Sequence, residues 1–301
     1  MTLVAPRPPS THAPDPEFHR VARCAPGHHW WRPLVVLALA MLLFLAGTLL
    51  VIVPLAVVAV TVPGQEDAIE RAFGSAEMSD PMSACVMLLT IAVMLPAALL
   101  AVRLAGGRSA GTLSSVTGRL RRRLLVRCLR LALLLVVPVL LLFVTVEGAW
   151  PDLRLDERTV PLLALALLVV PLQAAAEEYA FRGLLMQTVG AWLRHPAYAV
   201  VLPVPLFTLG HEYDVLGLVD VTAFALVAGW LAWRTGGLEA AIGLHVANNG
   251  ALVAFGAVGL VDLDATDGTV TGLACTLAVT ATYAWLVRGW ADVDATSRPR
   301  P

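Results

Sequence analysis

Three short clusters of polar residues interrupt the apolar segments in the second half of this 301-residue chain. A charged side chain at membrane depth costs about 2.5–3.5 kcal/mol, so such residues are by default paired or functional. A carboxylate beside imidazoles can take a proton from water and make that water a nucleophile toward a carbonyl. An imidazole and an amide can then stabilise the resulting oxyanion. Hydrolysis of an amide bond is therefore the predicted chemistry. The clusters comprise Glu177, Glu178 and Arg182, then Phe207 and His211, and finally His245, Asn248 and Asn249.

Helical spacing divides these residues into structural and chemical groups. Glu178 and Arg182 are four residues apart and can pair on one helix face. Glu177 is rotated by about 100° from Glu178, so it is expected to face something else. His245 and Asn249 are also four residues apart and present an imidazole and an amide from one face. We therefore assign Glu178 and Arg182 to an ion-pair brace and Glu177 to the role of general base.

The second cluster completes two alternative mechanisms. In the first, His211 helps Glu177 to hold the attacking water, while Phe207, one turn away, shields the imidazole or packs beside it. In the second, Glu177, His211 and His245 bind Zn²⁺, whose bound water is the nucleophile. The residues do not separate the two. We favour the metal-free version because the chain has no His-Glu-x-x-His motif, the usual arrangement when one helix supplies the zinc ligands.

Each cluster also has a purely structural interpretation. A Glu-Glu pair with an arginine is often only a brace, and a membrane histidine or an asparagine pair can simply bond across helices. Together, in segments chosen by hydropathy alone, the clusters favour an enzyme. The competing predictions are a noncatalytic scaffold or immunity-type protein and, more weakly, a proton-coupled transporter, for which no internal repeat with broken helices is visible.

The composition requires a bilayer around most of the chain. Apolar residues make up 58% and charged residues 14%, a balance that cannot cover a soluble globule of this length. A crossing needs about 20 mostly apolar residues. This rule predicts an all-α, polytopic membrane protein with about eight transmembrane helices near 34–62, 82–105, 129–147, 160–190, 197–215, 216–234, 238–260 and 268–288.

Arginine placement predicts the orientation of these helices. Short cytoplasmic loops collect positive charge, and the chain has no lysine, so arginine alone carries the signal. With eight crossings, the arginine-rich loop 108–127 and both termini fall on the cytoplasmic side. The three clusters then lie within roughly 12–21 Å of cytoplasmic helix ends, in one layer reached from that side. A nucleic-acid partner is not indicated, and the four scattered cysteines are expected to be unpaired.

The ordered motifs resemble a known family. Glu-Glu-x-x-x-Arg at 177–182, Phe-x-x-x-His at 207–211 and His-x-x-x-Asn at 245–249 are similar to those of the CPBP intramembrane proteases. That family includes the CAAX prenyl endopeptidase of the Rce1 type and the bacterial Abi proteins. The resemblance covers roughly 160–260. It implies an eight-helix fold with a cytoplasm-facing cavity, Glu177 as the base beside His211, and His245 with Asn249 at the oxyanion.

Further expectations concern the partners, the location and the domain boundaries. The expected substrate is a peptide or protein in or at the membrane, and the expected location is a bacterial cell membrane, because the Ala/Val/Arg-rich composition suggests a high-GC organism. Prenylated substrates are not expected for that reason. We predict a disordered cytoplasmic tail over 1–32, three transmembrane helices over 33–158, a protease core over 159–290 and a cytoplasmic tail over 291–301. One residue departs from many relatives: Glu239 stands where an apolar or aromatic residue is common.

Overall fold

The computed structural model describes residues 17–62, 64 and 77–290, and these residues fold into helices without forming a strand. The first half contains a 3-10 helix at Phe18–Cys24 and helices α1 Arg32–Thr61, α2 Pro81–Ala92, α3 Met94–Ala105, α4 Arg122–Val146, α5 Thr159–Leu168 and α6 Val170–Glu177. A π-helix follows at Glu178–Leu185, and then come α7 Met186–Trp192, α8 Pro196–Val201, α9 Val204–Thr208, α10 Val215–Thr235, α11 Glu239–Gly256 and α12 Val270–Val287.

The predicted all-α, polytopic membrane fold is confirmed. In the described part of the chain, six helical segments are long and apolar enough to cross a bilayer. They are Arg32–Val58, Pro81–Ala105, Arg122–Val146, Thr159–Trp192, Val215–Thr235 and Val270–Val287.

The other two predicted crossings are helical but less regular. Helix α11 carries Glu239, His245 and the two asparagines, which lower its hydropathy. The fifth predicted crossing is the shorter apolar segment Pro196–Thr208, whose roughly 13 residues rise about 20 Å, less than the hydrocarbon thickness.

The loops gather at two opposite ends of the bundle. One, the arginine-rich end, comprises residues 17–32, 106–121, 193–195, 236–238 and 288–290. There Arg32 Nε donates to the Ala105 carbonyl at 2.9 Å, and the Trp192 indole donates to the Trp30 carbonyl at 2.7 Å. Loops that follow every second predicted crossing therefore meet at this end.

The acidic end comprises residues 77–80, 147–158, 209–214 and 257–269. The Met78 amide donates to Asp264 at 2.6 Å, and the Gly268 amide donates to Asp214 at 2.9 Å. Backbone N–H groups of Gly217 and Gly268 hold the pKa of Asp214 below its ordinary value. Consecutive predicted crossings thus run in opposite directions, as eight crossings require. The side of the membrane on which each end lies stays a prediction.

Residues 17–32 differ from the disordered tail predicted for 1–32, whose first sixteen residues lie outside the described part. Phe18 and His19 are buried against α7, and the His19 imidazole bonds the Arg194 carbonyl at 3.0 Å. Contact is so close that a Cβ added at Gly190 would lie 1.9 Å from the His19 carbonyl oxygen. The ordering follows from the apolar Phe18 and Val21 side chains, which hydropathy averaged over a polar segment does not reveal.

Helix α11 lies at the centre of the bundle, between α4, α10 and the fourth crossing. Gly243 permits the approach to α4, since a Cβ there would lie 2.9 Å from the Leu129 backbone nitrogen. On the neighbouring side, Tyr283 of α12 donates to the Ala240 carbonyl at 2.9 Å. The first half of α11 is therefore buried, and with it His245.

Candidate active site

A π-helix carries the first polar cluster. The fourth crossing is α-helical up to Glu177 and π-helical from Glu178 to Leu185. Such segments are rare and often occur at functional sites. The predicted pair still forms, with Arg182 Nη1 donating to Glu178 Oε1 at 3.0 Å.

His245 lies between the two glutamates. Its Nδ1 is 2.8 Å from Glu178 Oε1, and its Nε2 is 3.5 Å from Glu177 Oε2. Because a carboxylate accepts, the Nδ1–H donates to Glu178 and Nε2 faces Glu177. The expectation that Glu177 and Glu178 would face different partners is therefore wrong. The helix changes type between them, and one imidazole reaches both through its two nitrogens.

Aromatic rings enclose this cluster. The Arg182 guanidinium carbon lies 4.2 Å from the centre of the Phe207 ring and 5.7 Å from that of Phe224. The Phe224 ring also packs edge-on against His245, with centroids 4.9 Å apart. Rings on the fifth crossing and α10 thus exclude water from the charged groups, which strengthens the electrostatic interactions among them. Phe224 was not singled out in the sequence, where it is one more apolar residue.

His211 is in a different kind of position from the other predicted site residues. Helix α9 ends at Thr208, so His211 belongs to the loop 209–214 rather than to a helix. Its Nδ1 bonds the Phe207 carbonyl at 2.8 Å, and its ring packs 4.9 Å from the Phe207 ring. In the described residues no hydrogen bond or ion pair joins His211 to Glu177. The Phe207 ring therefore neighbours both histidines, with its centre 6.4 Å from that of the His245 ring.

The asparagines lie one turn beyond His245 on α11. Asn248 donates to the Asn249 side-chain oxygen at 3.2 Å, and Asn249 makes a long hydrogen bond of 3.5 Å to the Gln173 side chain. Gln173 is buried one helical turn before Glu177. Its polar side chain in an apolar segment was the signal that could have identified it, but it was not chosen.

The donor set does not form a metal site in this conformation. Glu177 and His245 are close, and the Nδ1 bond of His211 to the Phe207 carbonyl leaves its Nε2 free for a metal. In the ranges that the structure describes, however, no group of three His, Cys, Asp or Glu side chains could hold a metal ion. The three predicted ligands are thus not gathered in this conformation, and the choice between the metal-free and the zinc mechanism stays a prediction.

Several buried polar atoms of the cluster have no hydrogen-bond partner in the part of the chain that the structure describes. They are Glu177 Oε2, Glu178 Oε2 and Arg182 Nη2. Glu177 Oε2 is within ion-pair distance of His245, but the geometry falls short of a hydrogen bond. Buried polar atoms in native proteins are usually paired, so three such atoms in one cluster need an explanation.

A small pocket opens beside Arg182, between the π-helix, the fifth crossing and α10. Its lining includes Phe181, Arg182, Met186, Val200, Phe207 and Ala225. Apart from Arg182, the lining is apolar. The cavity volume is about 10 Å³, which is room for roughly one water molecule.

Comparison with known proteins places this site in context. Residues 159–251 match the family described as type II CAAX prenyl endopeptidase, Rce1-like. The resemblance is thereby confirmed for that segment, which contains all three motifs, and the family suggests CAAX-type intramembrane protease activity. The uncharacterized protein YyaK of Bacillus subtilis (strain 168) is 33% identical over 99 residues, which are 31% of this chain and 33% of YyaK. The match thus spans about a third of the relative's length. No solved structure matches the chain.

Proposed function

We propose that this protein is an intramembrane endopeptidase that hydrolyses a peptide bond with a water activated by Glu177. The observation that carries the proposal is the position of His245 between the two buried glutamates, with Glu177 Oε2 left without a hydrogen-bond partner. Glu178 already binds both Arg182 and His245 through Oε1, whereas Glu177 Oε2 has no hydrogen bond and is available to act as a base.

The first step uses Glu177 as a general base. A water beside Glu177 gives a proton to the carboxylate while its oxygen attacks the carbonyl carbon of the scissile bond. The electron pair of the carbonyl π bond moves to the oxygen and forms a tetrahedral oxyanion. His211 assists from the loop 209–214, where its Nδ1 bond to Phe207 leaves Nε2 free to hold the water.

The oxyanion is stabilised by donors from α11. Glu178 fixes the orientation of the His245 ring through Nδ1, and with it the position of Nε2. The carboxylate has the same role in other carboxylate–imidazole pairs. To donate to the oxyanion through Nε2 while Nδ1–H bonds Glu178, the His245 ring needs a proton on each nitrogen. The Asn249 amide is the second donor, and Gln173 orients it.

The final step returns the proton. The tetrahedral intermediate collapses, the C–N bond breaks, and the proton held by Glu177 goes to the leaving nitrogen. The products are one carboxylic acid and one amine, and the base is regenerated. The substrate is a peptide in or at the bilayer. Cleavage near the cytoplasmic leaflet stays a prediction from arginine placement, although His211 lies in the loop 209–214 of the acidic end.

Mutation of the base tests this proposal directly. Wild-type protein in detergent micelles should cleave members of a membrane-peptide library. Glu177→Gln should lower the rate by about 10²–10⁴-fold, the usual contribution of a general base, while thermal unfolding stays near that of wild type. His245→Ala should also lose cleavage. Equal cleavage by Glu177→Gln and wild type would sink the assignment, and no cleavage by any form would favour the scaffold or immunity-type alternative.

Metal removal tests the choice of mechanism. We expect wild-type protein that has been dialysed against a chelator, and shown by elemental analysis to be free of zinc, to retain full activity. Activity that is lost on chelation and restored by Zn²⁺ alone would overturn the metal-free version and return Glu177, His211 and His245 to the role of ligands.

A further inference from the structure

The N-terminal segment, residues 17–32, has two unlike faces at the arginine-rich end of the bundle. Its inner face is anchored by Phe18 and Val21, which are buried against the protein. Its outer face carries arginines and tryptophans that are exposed or only partly covered. Because the inner face is packed, the outer face is a preformed surface rather than a set of independent side chains.

Two arginines of this segment are held in place by the last carbonyls of the fourth crossing. Arg20 Nη1 donates to the Gly190 carbonyl at 3.1 Å, and Arg23 Nη1 donates to the Ala191 carbonyl at 3.1 Å. A guanidinium has five N–H groups. The other N–H groups of both arginines make no hydrogen bond among the described residues. The two cations are therefore oriented by the protein and still have donors for an acceptor from outside.

These cations have no counter-ion within the protein. In the described part of the chain, no ion pair joins Arg20, Arg23 or Arg32 to an aspartate or glutamate. Burial lowers the pKa of His28, and the positive charges of Arg23 and Arg32 lower it further. No carboxylate contributes to this shift. The outer face thus carries a positive field that an external anion would balance.

Exposed tryptophans indicate the depth of this face in the membrane. Trp30 and Trp31 are exposed, and the Trp192 indole, also exposed, donates to the Trp30 carbonyl at 2.7 Å. Tryptophan is enriched where the hydrocarbon meets the headgroups. The exposed apolar side chains of the first crossing begin just after this group, at Leu34. Arg23, which bonds the carbonyl of the residue before Trp192, therefore lies near headgroup depth.

We propose that the outer face of residues 17–32 binds the headgroups of anionic phospholipids, with Arg20 and Arg23 as the main donors to the phosphate. A phosphate can accept two N–H groups of one guanidinium. An anionic phospholipid also keeps a net negative charge to balance the arginines, whereas a zwitterionic one brings its own cation. The tryptophans fit a lipid better than a soluble acidic partner, because they pack between headgroups and acyl chains. This inference does not depend on the proposed peptidase activity.

An exposed native cysteine provides a local probe for the test. Cys24 directly follows Arg23, and Cys128 is buried. Full-length protein with Cys85→Ala and Cys275→Ala can therefore carry one fluorophore at Cys24. The labelled protein in neutral detergent is titrated with phosphatidylglycerol or phosphatidylcholine that bears a nitroxide quencher near the glycerol backbone. Half-quenching should need about tenfold less phosphatidylglycerol than phosphatidylcholine.

Charge removal at the two donors should abolish this preference. Arg20→Gln combined with Arg23→Gln keeps an amide donor at each position but removes both charges, so phosphatidylglycerol should bind about tenfold more weakly and phosphatidylcholine as before. The matched control is Arg122→Gln combined with Arg123→Gln, which removes as many charges from exposed positions of the same end. The control should keep the preference.

A charge-conserving variant separates lipid binding from folding. Arg20→Lys combined with Arg23→Lys should retain most of the preference for phosphatidylglycerol, because the charges remain at headgroup depth. Circular dichroism of each variant in lipid-free detergent shows whether the helices are intact. Loss of the preference in the lysine variant, with its helices intact and the preference of the glutamine variant unchanged, would contradict the role of charge at these positions.

Three results would overturn the proposal. The first is equal quenching of the wild-type residues by both lipids. The second is an equal loss of preference in the two glutamine double variants, which would mean that only the net charge of this end attracts lipid. The third is stronger relief of quenching by inorganic phosphate than by sodium chloride at the same ionic strength, or tight binding of a soluble oligo-glutamate without a lipid preference. These would assign the surface to free phosphate or to an acidic protein. None of the readouts requires peptide cleavage, so the proposed function stands or falls separately.

Discussion

Two buried carboxylate clusters share helix α11, and they differ in how completely their atoms are paired. At the helix start, fully buried Glu239 accepts from the Arg121 backbone at 2.7 Å, from its Nε at 3.1 Å and from its Nη2 at 2.7 Å. Arg121 Nη2 also donates to the Thr235 carbonyl at 3.0 Å. About two turns later, the His245 cluster leaves oxygens of both glutamates and one arginine nitrogen without hydrogen bonds.

The difference distinguishes a structural ion pair, Arg121–Glu239, from a reactive site. Glu239 lies in the first turn of α11, where the helix dipole favours a negative charge, and its bidentate pair ties the loop before α4 to α11. Both Glu239 oxygens are therefore occupied by Arg121. In the His245 cluster the unpaired atoms include Glu177 Oε2, the oxygen that the proposed reaction uses.

Breaking the Arg121–Glu239 ion pair should cause the largest loss of stability. Arg121→Gln leaves a buried, unpaired carboxylate at Glu239, and removal of one partner of a buried ion pair typically costs about 3–5 kcal/mol. The measurement is unfolding in detergent, followed by circular dichroism. Activity per folded molecule should be unchanged.

Removal of both charges is the control for that change. Arg121→Met combined with Glu239→Leu should recover most of the lost stability, since well-packed apolar replacements of an ion pair are often neutral. If Arg121→Gln is as stable as wild type, the Arg121–Glu239 pair does not stabilise the fold and the comparison fails.

The Asn249 amide should matter to catalysis and little to folding. Asn249→Ala removes one proposed oxyanion donor, a change that costs about 10²–10³-fold in kcat in comparable sites. The neighbouring Asn248→Ala is the matched control, because the one hydrogen bond that Asn248 donates among the described residues goes to Asn249, and it should lose far less. Similar losses in both variants would argue that the asparagines serve interhelical packing.

Glu178 and Glu177 should respond differently to removal. Glu178→Ala takes the partner from both Arg182 and His245, so its unfolding free energy should fall by about 1–3 kcal/mol. Glu177→Ala removes an oxygen without a hydrogen bond and should cost less. Thermal unfolding of the two variants side by side is the measurement, and a smaller shift for Glu178→Ala would contradict the brace.

Much of the fold followed from the sequence because hydropathy reports burial in lipid over windows of about 20 residues. The six long apolar helices and the alternation of loops between two ends were accessible in this way. The fifth crossing was not, because a break after Val201 and the end of α9 at Thr208 shorten it. His211 consequently lies in a loop, where helical spacing does not apply.

The sequence predicted which residues form the site, but not which of them contact one another. Spacing identified the Glu178–Arg182 pair, whereas the π-helix depends on packing around it and has no simple sequence pattern. Glu239 was noticed without a consequence because its partner, Arg121, is 118 residues away in the chain. Long-range pairs of this kind need the fold before they can be recognised.

Gln173 should have the smallest effect and gives the finest test of the comparison. Its side chain contacts Asn249 through a long 3.5 Å hydrogen bond, worth about 0.5–1.5 kcal/mol, so Gln173→Leu should lower kcat by roughly 2- to 10-fold with KM nearly unchanged. Gln173→Asn, which keeps an amide on a shorter side chain, should recover only part of the rate. If Gln173→Leu also lowers activity in the Asn249→Ala background, Gln173 acts independently of Asn249 and is not its positioning residue. If the two losses are not additive, Gln173 acts through Asn249 and belongs to the reactive cluster. The Glu239 pair is expected to show no such coupling to activity.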